Sequence, residues 1–183
     1  MKYSEELESR LGVKRVIDNI ESHFDNTGYS GDSEDPLKLL RQMKIFLYRE
    51  WDAWRNYAKG SMIDSTDCVT LSTVVNLLSY RKGLETELVR PKKLTKRYHA
   101  LLQFEDSNRT DTYDVTSKKD VNDVVPLSTD QVVTRLRIYR PIINIINRLK
   151  FGERGPGYMN GQLVPKDPVY FMQKRQNNNS KTI

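Results

Sequence analysis

The sequence predicts a mainly α-helical fold, an irregular bundle of four to five helices followed by an extended, proline- and glycine-rich C-terminal arm. Three observations predict it. Apolar residues recur at spacings of three and four through most of the first 152 positions. Cap and stop residues bracket those runs, among them Asp35-Pro36, Gly60, Ser128 with Gln131, and Gly152. Beyond that point Gly155, Pro156, Gly157, Gly161, Pro165 and Pro168 forbid a helix. The expected organisation is a helical domain over 1–152, with an exposed polar excursion at 105–127, and an arm over 153–183.

The first amphipathic helix is predicted over 4–24. Ser4 caps it, and Leu7, Leu11, Ile17, Ile20 and Phe24 share one face; Gly12 weakens its middle. The second is predicted near 36–59, with Asp35 at the N-cap and Pro36 at the first helical position. Its stripe of Leu37, Leu40, Met43, Leu47, Trp51, Trp54 and Ala58 buries both tryptophans. A third helix is expected over 69–89, although its apolar phase slips around Tyr80–Gly83. Pro91 ends it, and a short helix resumes over 92–104. Residues 105–127 are rich in Asp, Asn, Ser and Thr and read as an exposed loop, with Thr112–Thr116 as a brief strand at most. Ser128, with Gln131 three residues on, opens a last helix that Pro141 kinks or splits. In the arm, Asn160-Gly161 is a hairpin-turn signal.

Charge is distributed in blocks. Residues 1–35 hold nine acidic and four basic side chains; 36–104 hold six and thirteen; 105–127 hold six and three; 128–183 hold three and ten. Such a chain faces charged partners. The apolar fraction is 37%, below the roughly 45–50% of ordinary globular chains, so part of the chain is expected to lie outside any core. A single cysteine, Cys68, excludes an intrachain disulfide. The segment Met1–Glu6 has no apolar run of the signal-peptide kind, and no stretch approaches the length of a membrane span. The expected location is the cytoplasm, or a virion if the source is viral.

Two basic clusters are candidate binding surfaces for nucleic acid or for an acidic protein partner. The first is Arg81, Lys82, Arg90, Lys92, Lys93, Lys96 and Arg97; the second centres on Arg135, Arg137, Arg140 and Arg148. The apolar arm residues Tyr158, Met159, Leu163, Val164, Val169, Tyr170, Phe171 and Met172 are too apolar for a solvent linker and are expected to dock in a groove, on the chain's own helices or on another subunit. The acids Glu105, Asp106, Asp111, Asp114, Asp120 and Asp123 read as a solvated loop rather than a two-metal site. His23, Cys68 and His99 are far apart in the chain and give no typical zinc pattern. A Cys–His nucleophile pair has no support around Cys68, which reads as a helix-start or core residue.

The function these features favour is a non-enzymatic structural subunit of a larger assembly, of the kind found in a phage or virus connector, neck or internal virion protein. Its partners are protein subunits, with no cofactor, metal, membrane or small-molecule substrate. The alternative is a DNA- or RNA-binding accessory or regulatory protein using the two basic clusters.

Overall fold

The structure is a computed structural model. It describes residues 2–29, 35–65, 67–93, 99–106, 109–116 and 123–139, with the backbone of 157–159 and 162–164. Helices make up much of it, but they pack with a four-stranded antiparallel sheet, so the fold is α+β rather than a helical bundle.

The predicted first helix is two. α1 (Tyr3–Leu11) stops at Gly12, whose φ of 65° and ψ of 33° lie in the left-handed region, and α2 (Lys14–Asn26) restarts at once. A residue without a side chain enters that region at little cost, which makes Gly12 a helix stop rather than a weak link. The predicted second helix also divides. α3 (Pro36–Arg49) begins as expected, the Asp35 carboxylate accepting from the amides of Leu37 and Lys38. Glu50, with ψ of 30°, breaks the ladder, and α4 (Trp51–Ala58) turns to pack on α2. Trp51 and Trp54 are both buried, edge to face at 4.7 Å, and the Trp54 indole donates to the Leu47 carbonyl over 2.7 Å.

α5 (Cys68–Arg81) is the centre of the molecule. Every residue from Val69 to Ser79 is buried, so it is covered on all sides rather than amphipathic. It touches α1, α2 and α3 and lies on the sheet. The phase slip near Tyr80 marks its end, because Gly83 (φ 81°) turns the chain into a strand.

The sheet occupies the stretch read as helix tail, short helix and polar loop. β1 (Thr86–Pro91) and β2 (Leu101–Asp106) pair antiparallel with Leu88 opposite Leu102. β3 (Arg109–Tyr113) pairs with β2, Leu102 facing Tyr113, and β4 (Val124–Pro126) closes the other side of β1. The spatial order is β3-β2-β1-β4. Pro126 ends an edge strand, where its missing amide leaves no ladder bond unmade. Arg109, Thr110 and Asp111 are exposed, and the end of β3 then runs into buried Asp114, Val115 and Thr116.

α6 (Thr129–Thr134) opens with the predicted capping box: Ser128 Oγ accepts from the Gln131 amide at 3.2 Å, and Gln131 Oε1 from the Ser128 amide at 3.0 Å. It passes into a π-helical turn, Arg135–Tyr139, and the rest of the predicted helix, Pro141 included, lies outside the described residues. In the arm, β5 (Gly157–Met159) and β6 (Gln162–Val164) pair antiparallel, Met159 opposite Gln162, with Asn160-Gly161 between them.

Gly12→Ala should therefore destabilise the protein by about 1–2 kcal/mol, the cost of a left-handed backbone for an L-residue. A Cβ there meets nothing within 4 Å, so no packing term adds to it. A urea titration with an unchanged slope and a lower midpoint checks this; an unshifted midpoint would mean that the α1–α2 joint does not depend on the glycine.

Candidate active site

At its N-terminal end α5 meets the starts and ends of the central strands. Asp67 caps the helix, its carboxylate accepting from the Thr70 amide at 3.0 Å and from the Thr70 hydroxyl at 2.9 Å. This makes Cys68 the first helical residue. Its sulfur sits at the positive end of the helix, where negative charge is favoured.

His99 lies two residues before β2 and Asp114 directly after β3. Extending the β2–β3 register places His99 opposite Thr116, one diagonal step from Asp114. The side chains meet accordingly: His99 Nε2 donates to Asp114 Oδ2 over 2.7 Å. The other carboxylate oxygen, Oδ1, accepts from the Thr116 amide at 2.8 Å and from its hydroxyl at 2.9 Å. Both oxygens of Asp114 are thus held. The Cys68 thiol is a second hydrogen-bonding neighbour of His99.

α3 secures this corner from outside. Lys44 Nζ donates to the Asp114 carbonyl at 3.0 Å and lies 5.6 Å from the centre of the Tyr113 ring; the Tyr48 hydroxyl donates to the Val115 carbonyl at 3.4 Å. Burial is graded along the series. The Asp114 side chain is 3% exposed and the His99 side chain 20%, and Cys68 is half-buried. The orienting carboxylate is shut from water, while imidazole and thiol reach toward it.

The hydrogen bond to Asp114, with that to Cys68 second, pushes the His99 pKa up to about 10, against desolvation, which acts the other way. At neutral pH the imidazole therefore carries its proton beside both sulfur and carboxylate. An imidazolium there stabilises a sulfur anion during attack and can hand a proton to a departing group. Among the described residues, no three His, Cys, Asp or Glu side chains come together as metal ligands.

The predicted binding residues are placed elsewhere. Arg81 bonds Glu8 at 2.7 Å and Asp18 at 2.9 Å, and Lys82 bonds Asp25 at 2.7 Å and Glu21 at 3.1 Å, so both face the acidic N-terminal block of their own chain. The Arg90 guanidinium reaches the Pro91 carbonyl at 3.4 Å. Lys92 stands 3.8 Å from Asp123 with both side chains open to solvent, and Lys93 is exposed. Arg135 lies over the Tyr139 ring, and Arg137 bonds Met62 Sδ and the Arg10 carbonyl. Lys96, Arg97, Arg140 and Arg148 lie outside the described residues, as do Val169, Tyr170, Phe171 and Met172. Tyr158, Met159, Leu163 and Val164 are described as hairpin backbone only. No described helix is long and apolar enough to cross a membrane.

Cys68, His99 and Asp114 are what the sequence reading missed as a set. The signals were present singly: an Asp-Cys pair opening a helix, a histidine before the run Ala100-Leu101-Leu102-Gln103-Phe104, and an aspartate after alternating threonines. Compared with known proteins, the chain matches no family model, no curated protein and no solved structure.

The raised His99 pKa has a direct consequence for stability. The folded value of about 10 exceeds the ordinary value of 6.5, so the contribution is complete below about pH 6.5 and is lost as pH rises through about 10. Wild type should be more stable than His99→Gln at pH 6, with the gap closing steadily toward pH 9.5. Burial pushes Tyr113 up to about 12, so it adds its own loss only above that window. Thermal melts of both proteins across that range check the sign; a gap that widens with pH would contradict it.

Proposed function

We propose that this chain is a cysteine-dependent acyl-transfer enzyme, with Cys68 as nucleophile, His99 as the proton-carrying group and Asp114 as the residue that orients and charges the imidazole. One observation carries the reading: thiol, imidazole and carboxylate form a continuous hydrogen-bonded series, the carboxylate buried and held on both oxygens, the sulfur at a helix N-terminus. That arrangement of roles, rather than any chain order or fold, defines a nucleophile–base–orienter set.

In the reaction, sulfur attacks a carbonyl carbon and a C–S bond forms. The bond to the leaving amine or alcohol breaks, and His99 supplies that group's proton. The resulting thioester is attacked by water or an amine, whose proton His99 takes up, and Cys68 is released. A structural subunit, which the charge blocks favour on sequence alone, would use the His99–Asp114 pair for stability but gains nothing from a thiol beside the imidazole at a helix N-terminus, and this is the ground for preferring the enzyme.

The test uses an activated ester, p-nitrophenyl acetate, as acyl donor. Wild type should release one equivalent of p-nitrophenol in a burst and carry acetyl on Cys68, the chain's single cysteine, by peptide mass spectrometry. Cys68→Ala should show no burst, and Asp114→Asn should slow it by roughly 100-fold, the scale of general acid–base assistance. Acetylation spread over lysines with Cys68 unmodified would overturn the reading.

A further inference from the structure

Resting on that reading, a second hydroxyl in the same helix takes part. Ser72 lies one turn below Cys68 on α5 and is fully buried. A buried helical serine ordinarily returns its hydroxyl to the carbonyl four residues back. Ser72 instead reaches across to the sheet, donating to the Ala100 carbonyl over 3.1 Å. Ala100 is the residue after His99. Nucleophile and serine are thus fixed to each other by one helical turn, and serine and histidine by one hydrogen bond and one peptide unit.

We propose that Ser72 is the positioning residue of the site, setting the height of the His99 backbone against α5 so that the imidazole stands between Cys68 and Asp114. Other bonds from α5 to the strands among the described residues fall farther down: Asn76 Nδ2 donates to the Thr86 carbonyl at 2.6 Å and to its hydroxyl at 2.8 Å, and Ser79 Oγ lies 3.1 Å from the Thr86 hydroxyl. These hold β1, while Ser72 is the α5 side chain bonded to the Ala100 carbonyl, just ahead of the Leu101–Val89 pair that begins the β2 ladder. Lys44 and Tyr48 hold the Asp114 side of the site from α3.

Ser79→Ala supplies a matched control, because it removes a buried serine hydroxyl from the same helix at the end away from Cys68. The readout is the NMR titration of the His99 ring, one of only two histidines, together with the ester burst rate. Wild type and Ser79→Ala should titrate His99 near pH 10. Ser72→Ala should lower the midpoint by a unit or more toward 6.5 and slow the burst at least ten-fold, with a melting temperature no lower than that of Ser79→Ala. An unshifted midpoint and burst in folded Ser72→Ala would overturn the role of Ser72 and leave the acyl-transfer reading intact. A wild-type His99 titrating near 6.5 would overturn both. If Ser72→Ala does not fold, wild type still decides: the Ser72 hydroxyl proton should exchange slowly and show a cross-peak to the His99–Ala100 backbone. A fast-exchanging hydroxyl would count against the proposal.

Discussion

The structure depends on one constraint: a helix buried on every side has only the protein interior in which to satisfy its polar side chains. α5 carries Thr70, Ser72, Thr73, Asn76 and Ser79 among its apolar residues, and all five are buried; Thr73 Oγ1 and Asn76 Oδ1 find no partner among the described residues, and the other groups do. A buried hydroxyl or amide without a partner costs about 1–3 kcal/mol, so each bond it makes also fixes whatever it bonds to. Asp67 takes Thr70 and sets where the helix begins. Ser72 takes Ala100, and Asn76 and Ser79 take Thr86. The same bonds that make burial of α5 tolerable define how β1 and β2 lie across it. Position at the site follows from packing, as precise geometry on a rigid element requires.

The two ends of α5 differ in kind. Its C-terminal end meets Glu8, Asp18, Glu21 and Asp25 through Arg81 and Lys82, cations where the helix dipole favours them. These pairs are partly exposed and join α1 and α2 to the helix without supporting much stability individually. The N-terminal end holds the thiol, with a buried carboxylate and an imidazolium opposite it. The alternation of charge along the chain is therefore partly internal complementarity: the acidic first block meets Arg81 and Lys82, the first two cations of the first basic cluster.

Local signals carried the sequence reading where local chemistry decides structure. The caps at Asp35, Ser128 and Gln131 and the burial of Trp51 and Trp54 were legible, because each depends on a few neighbouring residues. The sheet was not. Leu101, Leu102 and Phe104 fit a helical face as well as a strand, and the threonines of β3 sit among acids that resemble a solvated loop. β-structure is settled by cross-strand partners, and register cannot be read from either strand alone. With the sheet hidden, His99 fell on a supposed helix and Asp114 in a supposed loop, and nothing joined them to Cys68. Each residue was visible; the pairing of Leu102 with Tyr113 that brings two of them together was not.

The central claim, that folding builds a reactive thiol, is tested most directly by the rate at which iodoacetamide alkylates Cys68 at neutral pH in native protein and in protein unfolded by urea. A half-buried structural cysteine is shielded by folding and reacts more slowly in the native state. The account predicts the opposite order, native faster than unfolded, because only the folded chain sets the His99 imidazolium and the end of α5 against the sulfur. A native rate below the unfolded rate would contradict it.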